Sequence, residues 1–231
     1  MRKLNKGCLI ISLDTEIGLG HLADNEIKKF DLQFLKAKDV TERLIGLFNK
    51  YKISATWAIV GKLIEKEKII DIEHFYPLDN ITEEYIMTNN DIYRYESLVK
   101  LLSESETYQE IASHSYSHIT FKEGNRKHHA NKNLANDDFN AVIKCFHEYN
   151  LRPKSFVYPQ NRPGFEELLP DFGFNIYRGK EVKWYHGLPK TILKIAKGLD
   201  NLTPIPPCVS LPTFKRPNLI ETNGHLHFAK L

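Results

Sequence analysis

With 231 residues and 26.9 kDa, of which 42% are hydrophobic and 26% charged, the chain has the make-up of a globular protein that buries its own core. Disordered, collagen-like and coiled-coil descriptions are excluded. The 32 basic and 29 acidic residues give a formal +3 that reads as spread along the sequence, so nothing in the charge balance points to nucleic acid or a membrane surface as partner.

Cys8, Cys145 and Cys208 are an odd, widely spaced set without a CxxC pair, as expected of reduced thiols in a cytoplasmic protein. The basic start, Met1 to Lys6, precedes an apolar run, Cys8 to Leu13, that is too short for a signal peptide and ends on Asp14. No stretch approaches the ~20 apolar residues of a membrane span. The expectation is one domain over residues 1–231, without membrane insertion, its homo-oligomeric state open.

Gly7 to Leu13 reads as a strand buried on both faces. A helix follows from Asp39, with Val40, Leu44, Leu47, Phe48 and Tyr51 at helical spacing and an acidic start. Ile53 to Val60 is a second strand. Residues 69–90 read as an insertion or long loop, and Asp91 to Ser105 as a helix. Glu110 to Ser113 is a third strand, Asn133 to Tyr149 a helix, Lys154 to Tyr158 a fourth strand and Phe174 to Tyr177 a fifth. Leu188 to Leu199 is one more helix, and the proline-rich tail from Asn201 reads as extended loop.

Such alternation predicts an α/β fold with parallel strands joined by right-handed crossovers, whose functional groups gather at the carboxyl ends of the strands. Those ends are Asp14, Val60-Gly61, His114, Pro159 and Arg178-Gly179. Asp14-Thr15-Glu16 offers two carboxylates two residues apart, on one side of an extended segment. His114-Ser115-Tyr116-Ser117-His118 sets two imidazoles four apart, within reach of one ion. Among ten histidines such a pair arises readily by chance. Combined with carboxylates at neighbouring strand ends, it becomes an N/O ligand set suited to Zn²⁺ or a related divalent ion, and to metal-assisted hydrolysis.

Four blocks stand in order: Leu9 to Asp14, Ala55-Thr56-Trp57-Ala58-Ile59-Val60-Gly61, Ser113-His114-Ser115-Tyr116-Ser117-His118 and Ser155-Phe156-Val157-Tyr158-Pro159. In order and spacing they resemble the polysaccharide deacetylases of the NodB-homology type, over roughly residues 7–180. The resemblance implies an irregular (β/α) barrel and a divalent metal, zinc first, with cobalt, nickel or manganese as alternatives. It also implies an N-acetylated carbohydrate as substrate.

Carried over by motif, His114 and His118 become metal ligands and Asp14 the catalytic base. The family's second Asp falls on Thr15, so either Glu16 serves as the third ligand, or Asp14 binds the metal and another group is the base. Tyr158-Pro159-Gln160-Asn161-Arg162 resembles the Phe-Pro-Arg-Asn-Gln run of a subgroup associated with surface-polysaccharide biosynthesis. It nominates Tyr158, Asn161 and Arg162 as substrate-binding residues, Arg162 standing in for the arginine that orients the base. The family's late histidine, the general acid, has only His225 and His227 as candidates and stays unassigned. Glu221 to His227 reads as the approach to a helix, capped by Thr222 or Asn223. The chain is therefore expected to lack the family's C-terminal strand and to leave an open barrel edge. Two rival functions remain: an impaired relative that binds carbohydrate or acts as a scaffold, and a hydrolase of a non-carbohydrate amide.

Overall fold

A computed structural model describes residues 10–22, 31–76, 84, 86, 88–122, 129–179, 184–202, 213–216 and 219–222. Strands β1 (Ser12–Thr15), β2 (Thr56–Ile59), β3 (Glu110–Ser113), β4 (Ser155–Val157) and β5 (Ile176–Arg178) lie side by side in chain order, each parallel to the next. Beyond β5 come two strands from the tail, β6 (Thr213–Arg216) and β7 (Leu219–Thr222). β7 pairs parallel with β5, and β6 pairs antiparallel on the far side of β7. The helices are α1 (Asp31–Tyr51), α2 (Gly61–Ile64), α3 (Asn90–Tyr93), α4 (Ser97–Ser103), α5 (Lys132–His147) and α6 (Lys190–Leu202).

Alternation along the strands divides the sheet into two faces. Trp57, Ile59, Phe156, Tyr177 and Leu219 share one core with Phe48 of α1, Leu98 and Leu102 of α4, and Phe139 and Phe146 of α5. Five rings, Phe121, Phe139, Phe156, Tyr158 and Phe174, meet there at edge or stacked angles. The opposite face has room for little: Ala58, Ala112 and Val157 form a small separate cluster. In register with them stand Asp14, paired with Ala58, and Arg178, paired with Val157.

Arg178 on β5 reaches Ser12 Oγ (3.0 Å) and Asp14 Oδ2 (2.6 Å) on β1. At ~4.8 Å per strand, a flat sheet would separate these strands by roughly 19 Å. The sheet is therefore curled around its small-residue face. Among the described residues β1 pairs only with β2 and β6 only with β7, so the curl is an irregular half-barrel that does not close.

Several elements differ from the sequence expectation, for tertiary reasons. The tail is not all loop. Leu219 to Thr222 forms the sixth parallel strand, so Glu221 and Thr222 extend the sheet instead of starting a helix. Here Leu219 is fully buried and the Ile220 N–H donates to Asn175 O (2.8 Å). The helix expected over 91–105 is broken into α3 and α4. Arg94 is extended between them, with its guanidinium on Glu65 O and Glu96, while the Tyr95 N–H donates to Leu63 O. Helix α1 begins eight residues before Asp39 and buries Phe34, Ile45 and Phe48, whereas Val40, Leu47 and Tyr51 are exposed. Helix α5 is capped by Asn131, whose Oδ1 accepts from the Leu134 N–H.

Gln109, just before β3, ties the lower ends of two strands together. Its Oε1 accepts from Trp57 Nε1 (2.9 Å) and the Ala55 N–H (3.3 Å), and its Nε2 donates to Ile53 O and Thr107 O. Gln109→Ala strands those donors in a buried place. Urea denaturation of the variant is expected to show a loss of about 2–4 kcal/mol, with circular dichroism of the native protein unchanged.

Candidate metal centre

β1 ends on Thr15, and at Glu16 the chain turns (φ −130°, ψ −22°) into a 3₁₀ turn over Ile17–His21. That turn sends the Glu16 carboxylate onto the loop after β3. Glu16 Oε2 lies 2.6 Å from His118 Nε2 and 3.3 Å from His114 Nε2. Asp14, two residues earlier and still within the strand, is held elsewhere, by Arg178.

The histidine loop is built tightly. The His114 N–H continues the ladder to Ile59 O, after which Ser115 (φ 66°) and His118 (φ 67°) adopt the left-handed conformation. Left-handed backbone at a residue with a side chain costs on the order of 1–2 kcal/mol. Three sets of bonds hold the loop in it. Ser115 Oγ accepts from the His118 N–H (2.8 Å). The carbonyls of Ser115 and Tyr116 accept from the N–H groups of Gly61 and Lys62, both at 2.9 Å. Asp138, buried on α5, accepts from the Tyr116 N–H (2.8 Å), the Ser117 N–H (2.9 Å) and Ser117 Oγ (2.6 Å). Burial pushes the Asp138 carboxyl up to about 6, against the pull of those donors. A Cβ on Gly61 would lie 3.1 Å from both the Tyr116 ring and Val142, so a side chain there would press on the loop.

His114 is 1% exposed and donates from Nδ1 to Val157 O (2.8 Å), which turns Nε2 toward Glu16. Burial works against its protonation, but the Glu16 hydrogen bond and the charges of Asp14 and Glu16 outweigh it and raise the imidazole's pKa. Burial likewise works against ionised Glu16, and His118 and His114 overcome it, holding the carboxyl below the usual carboxylate range. Asp14 is lowered too, as His114 and the Arg178 guanidinium outweigh its burial.

One ligand atom from each of Glu16, His114 and His118 lies within 4.8 Å of the others. Two imidazoles and a carboxylate match the donor types of zinc-type hydrolytic sites. The Val157 carbonyl supplies the outer partner that orients a ligating histidine. The residues present thus fit a divalent ion.

The other nominated residues fall differently. Tyr158 is fully buried between Phe121, Phe156 and Tyr177, its hydroxyl without a hydrogen-bond partner among the described residues. Its ring belongs to the core. Arg162 is exposed, and the guanidinium on Asp14 is that of Arg178. Asn161 is half-buried and accepts from Arg178 Nε at 3.0 Å. It stands one bond from Asp14's partner. His225 and His227 lie outside the described residues. Sequence reasoning gave no part to Arg178 or Asp138. Arg178 had a signal in its place at a strand end. Asp138 had one as an acid four residues before Val142, on the helix's apolar side.

A half-barrel of parallel strands thus carries a His₂–carboxylate cluster at the carboxyl ends of its strands. Residues 29–162, more than half of the chain, match the family model for polysaccharide deacetylase, and the chain belongs to that family. The matched span holds His114 and His118 but not Asp14, Glu16 or Arg178. No curated protein matches the chain. Among solved structures it is similar to a CE4 family pseudoenzyme from Bacillus anthracis (14% identity, TM-score 0.43, covering 75% of this chain and 43% of that one). Others are IcaB from Ammonifex degensii (12%, 0.40, 59% and 52%) and the BpsB deacetylase domain from Bordetella bronchiseptica (12%, 0.44, 75% and 64%). The chain spans less than two thirds of each of these. No helix among the described residues is long and apolar enough to cross a membrane.

Asp138→Ala would leave two buried loop N–H groups unpaired, at about 1–3 kcal/mol each. Thermal and urea unfolding should show a loss of about 2–5 kcal/mol, with Asp138→Asn recovering part of it through its one remaining acceptor oxygen.

Proposed function

We propose that the protein is a metal-dependent N-deacetylase acting on an N-acetylated sugar of a polysaccharide or its precursor. The observation that carries this is the parting of two carboxylates on one strand end. Glu16 meets both imidazoles, while Asp14 is held apart by Arg178. That is a ligand and a base in separate hands, and it favours Glu16 as the carboxylate that replaces the family's aspartate at Thr15.

In this reading Glu16, His114 and His118 hold a divalent ion, zinc first, which supplies Lewis acidity and lowers the pKa of water. Asp14 stays ionised because Arg178 occupies Oδ2, and its Oδ1 is left to take the proton of the attacking water. Ser12 and Asn161 fix the guanidinium and so fix the base. Water adds to the acetyl carbonyl carbon, the carbon–nitrogen bond breaks, and acetate and the free amine leave. The amine takes its proton from Asp14 or from solvent. The Tyr158-Pro159-Gln160-Asn161-Arg162 run beside this site, which resembles that of the surface-polysaccharide subgroup, supports a surface polysaccharide or its precursor as the substrate.

A second reading is a carbohydrate-binding relative without turnover, favoured by Thr15 in place of an aspartate. Metal analysis after dialysis, combined with acetate release from N-acetylglucosamine oligomers, separates the two. Metal bound without acetate release supports the second reading, and no metal at all removes both the ligand set and the deacetylase proposal. His114→Ala, His118→Ala and Glu16→Gln are expected to lose metal and activity together. Asp14→Asn should keep its metal and lose ~10²–10⁴-fold in kcat, the usual worth of a general base.

A further inference from the structure

Helix α6 presents an apolar stripe outward. Ile192, Ile195 and Leu199 are 49%, 64% and 54% exposed, while Ala196, on the adjoining arc, is buried. At 100° per residue the three exposed side chains fall within an arc of roughly 60°. Positions 190, 194 and 197, all lysine, fall within a second arc of similar width on the opposite side. Lys194 and Lys197 are exposed. The +3 of the chain is therefore not evenly spread. Residues 180–200 contain five lysines and two acids, which accounts for all of it, and the remaining 27 basic and 27 acidic residues balance.

We propose that α6 lies flat on an anionic lipid surface, its aliphatic stripe in the headgroup–acyl boundary and its lysines against the anionic headgroups. A strongly amphipathic helix of low mean hydropathy with a lysine face is the form such interfacial helices take. The same residues argue against a protein partner. Protein interfaces favour aromatic residues and arginine and are depleted in lysine, and α6 has three lysines with neither aromatic nor arginine. The convex helix also offers no groove. Binding would hold the half-barrel at a membrane without a spanning segment.

The test uses the full 231-residue chain with sedimented phosphatidylcholine vesicles, with and without phosphatidylglycerol. Near an anionic surface each lysine contributes about fivefold, so with Lys194 and Lys197 partitioning onto anionic vesicles should exceed that onto neutral ones roughly 25-fold and fall as salt rises. Lys194→Glu/Lys197→Glu should abolish the preference. Ile192→Ser/Ile195→Ser should weaken binding about tenfold or more, with far-UV circular dichroism unchanged because both side chains are already exposed. No binding to either vesicle overturns the proposal, as does equal binding to both or indifference to Ile192→Ser/Ile195→Ser. A dimer broken by Ile192→Ser/Ile195→Ser, with no vesicle binding, overturns it in favour of a second copy on this face.

Discussion

The Arg178 guanidinium crosses the inside of the sheet from β5 to β1 and is satisfied on three sides, by Asp14, Ser12 and Asn161. Arg178 is 6% exposed, and a guanidinium removed from water to that degree is tolerated only with a carboxylate and further acceptors around it. The requirement runs in both directions. The arginine needs β1 close by, and β1 can come close only if the strands between carry side chains small enough to let the sheet curl. Ala58 and Ala112 meet that condition, and larger residues there would push the two charges apart. One ion pair thus ties strand curvature, the small-residue face and the placement of Asp14 into a single constraint.

That constraint also separates two acids that are neighbours in sequence. Asp14 is claimed within the strand, in register with Ala58, before the backbone turns. Glu16 comes after the turn and is free to meet the histidines. Their environments then hold both ionised by different means, an arginine for one and two imidazoles for the other. The histidine loop opposes them from a strained backbone that Asp138, Gly61 and Lys62 hold in place. Left-handed residues recur at Gln160 and Asn161, beside Arg178. In the histidine loop the buried acid and the backbone bonds around it offset the cost of that strain.

Much of this was legible in residue order. Continuous apolar runs separated by amphipathic ones implied parallel strands, and the strand-end rule led to Asp14, His114 and Arg178. Four-residue histidine spacing and the neighbouring Asp-Thr-Glu named the cluster's members. What was not legible depended on partners far away in sequence. Arg162 and Arg178 are both arginines near strand ends, and only the register of β5 against β4 puts the second over the sheet's interior. Tyr158 follows a strand as a substrate contact would, yet Phe121 and Tyr177 from distant segments enclose it together with Phe156 of that strand. Val40, Leu47 and Tyr51 share a helical stripe, but α1 docks on the arc of Ile45 and Phe48.

By itself, then, the sequence determined the class of fold, the family and the two histidines, because periodicity and short motifs are local properties of the chain. Tertiary structure alone decided that Glu16 meets those histidines while Asp14 meets an arginine. It also decided that Leu219 to Thr222 is a strand where a helix approach was expected, since pairing with β5 supplies hydrogen bonds and burial that no local preference could anticipate. Which of two carboxylates meets which cation is set by backbone direction at one residue and by sheet curl over five strands, and neither is written in the spacing of the residues.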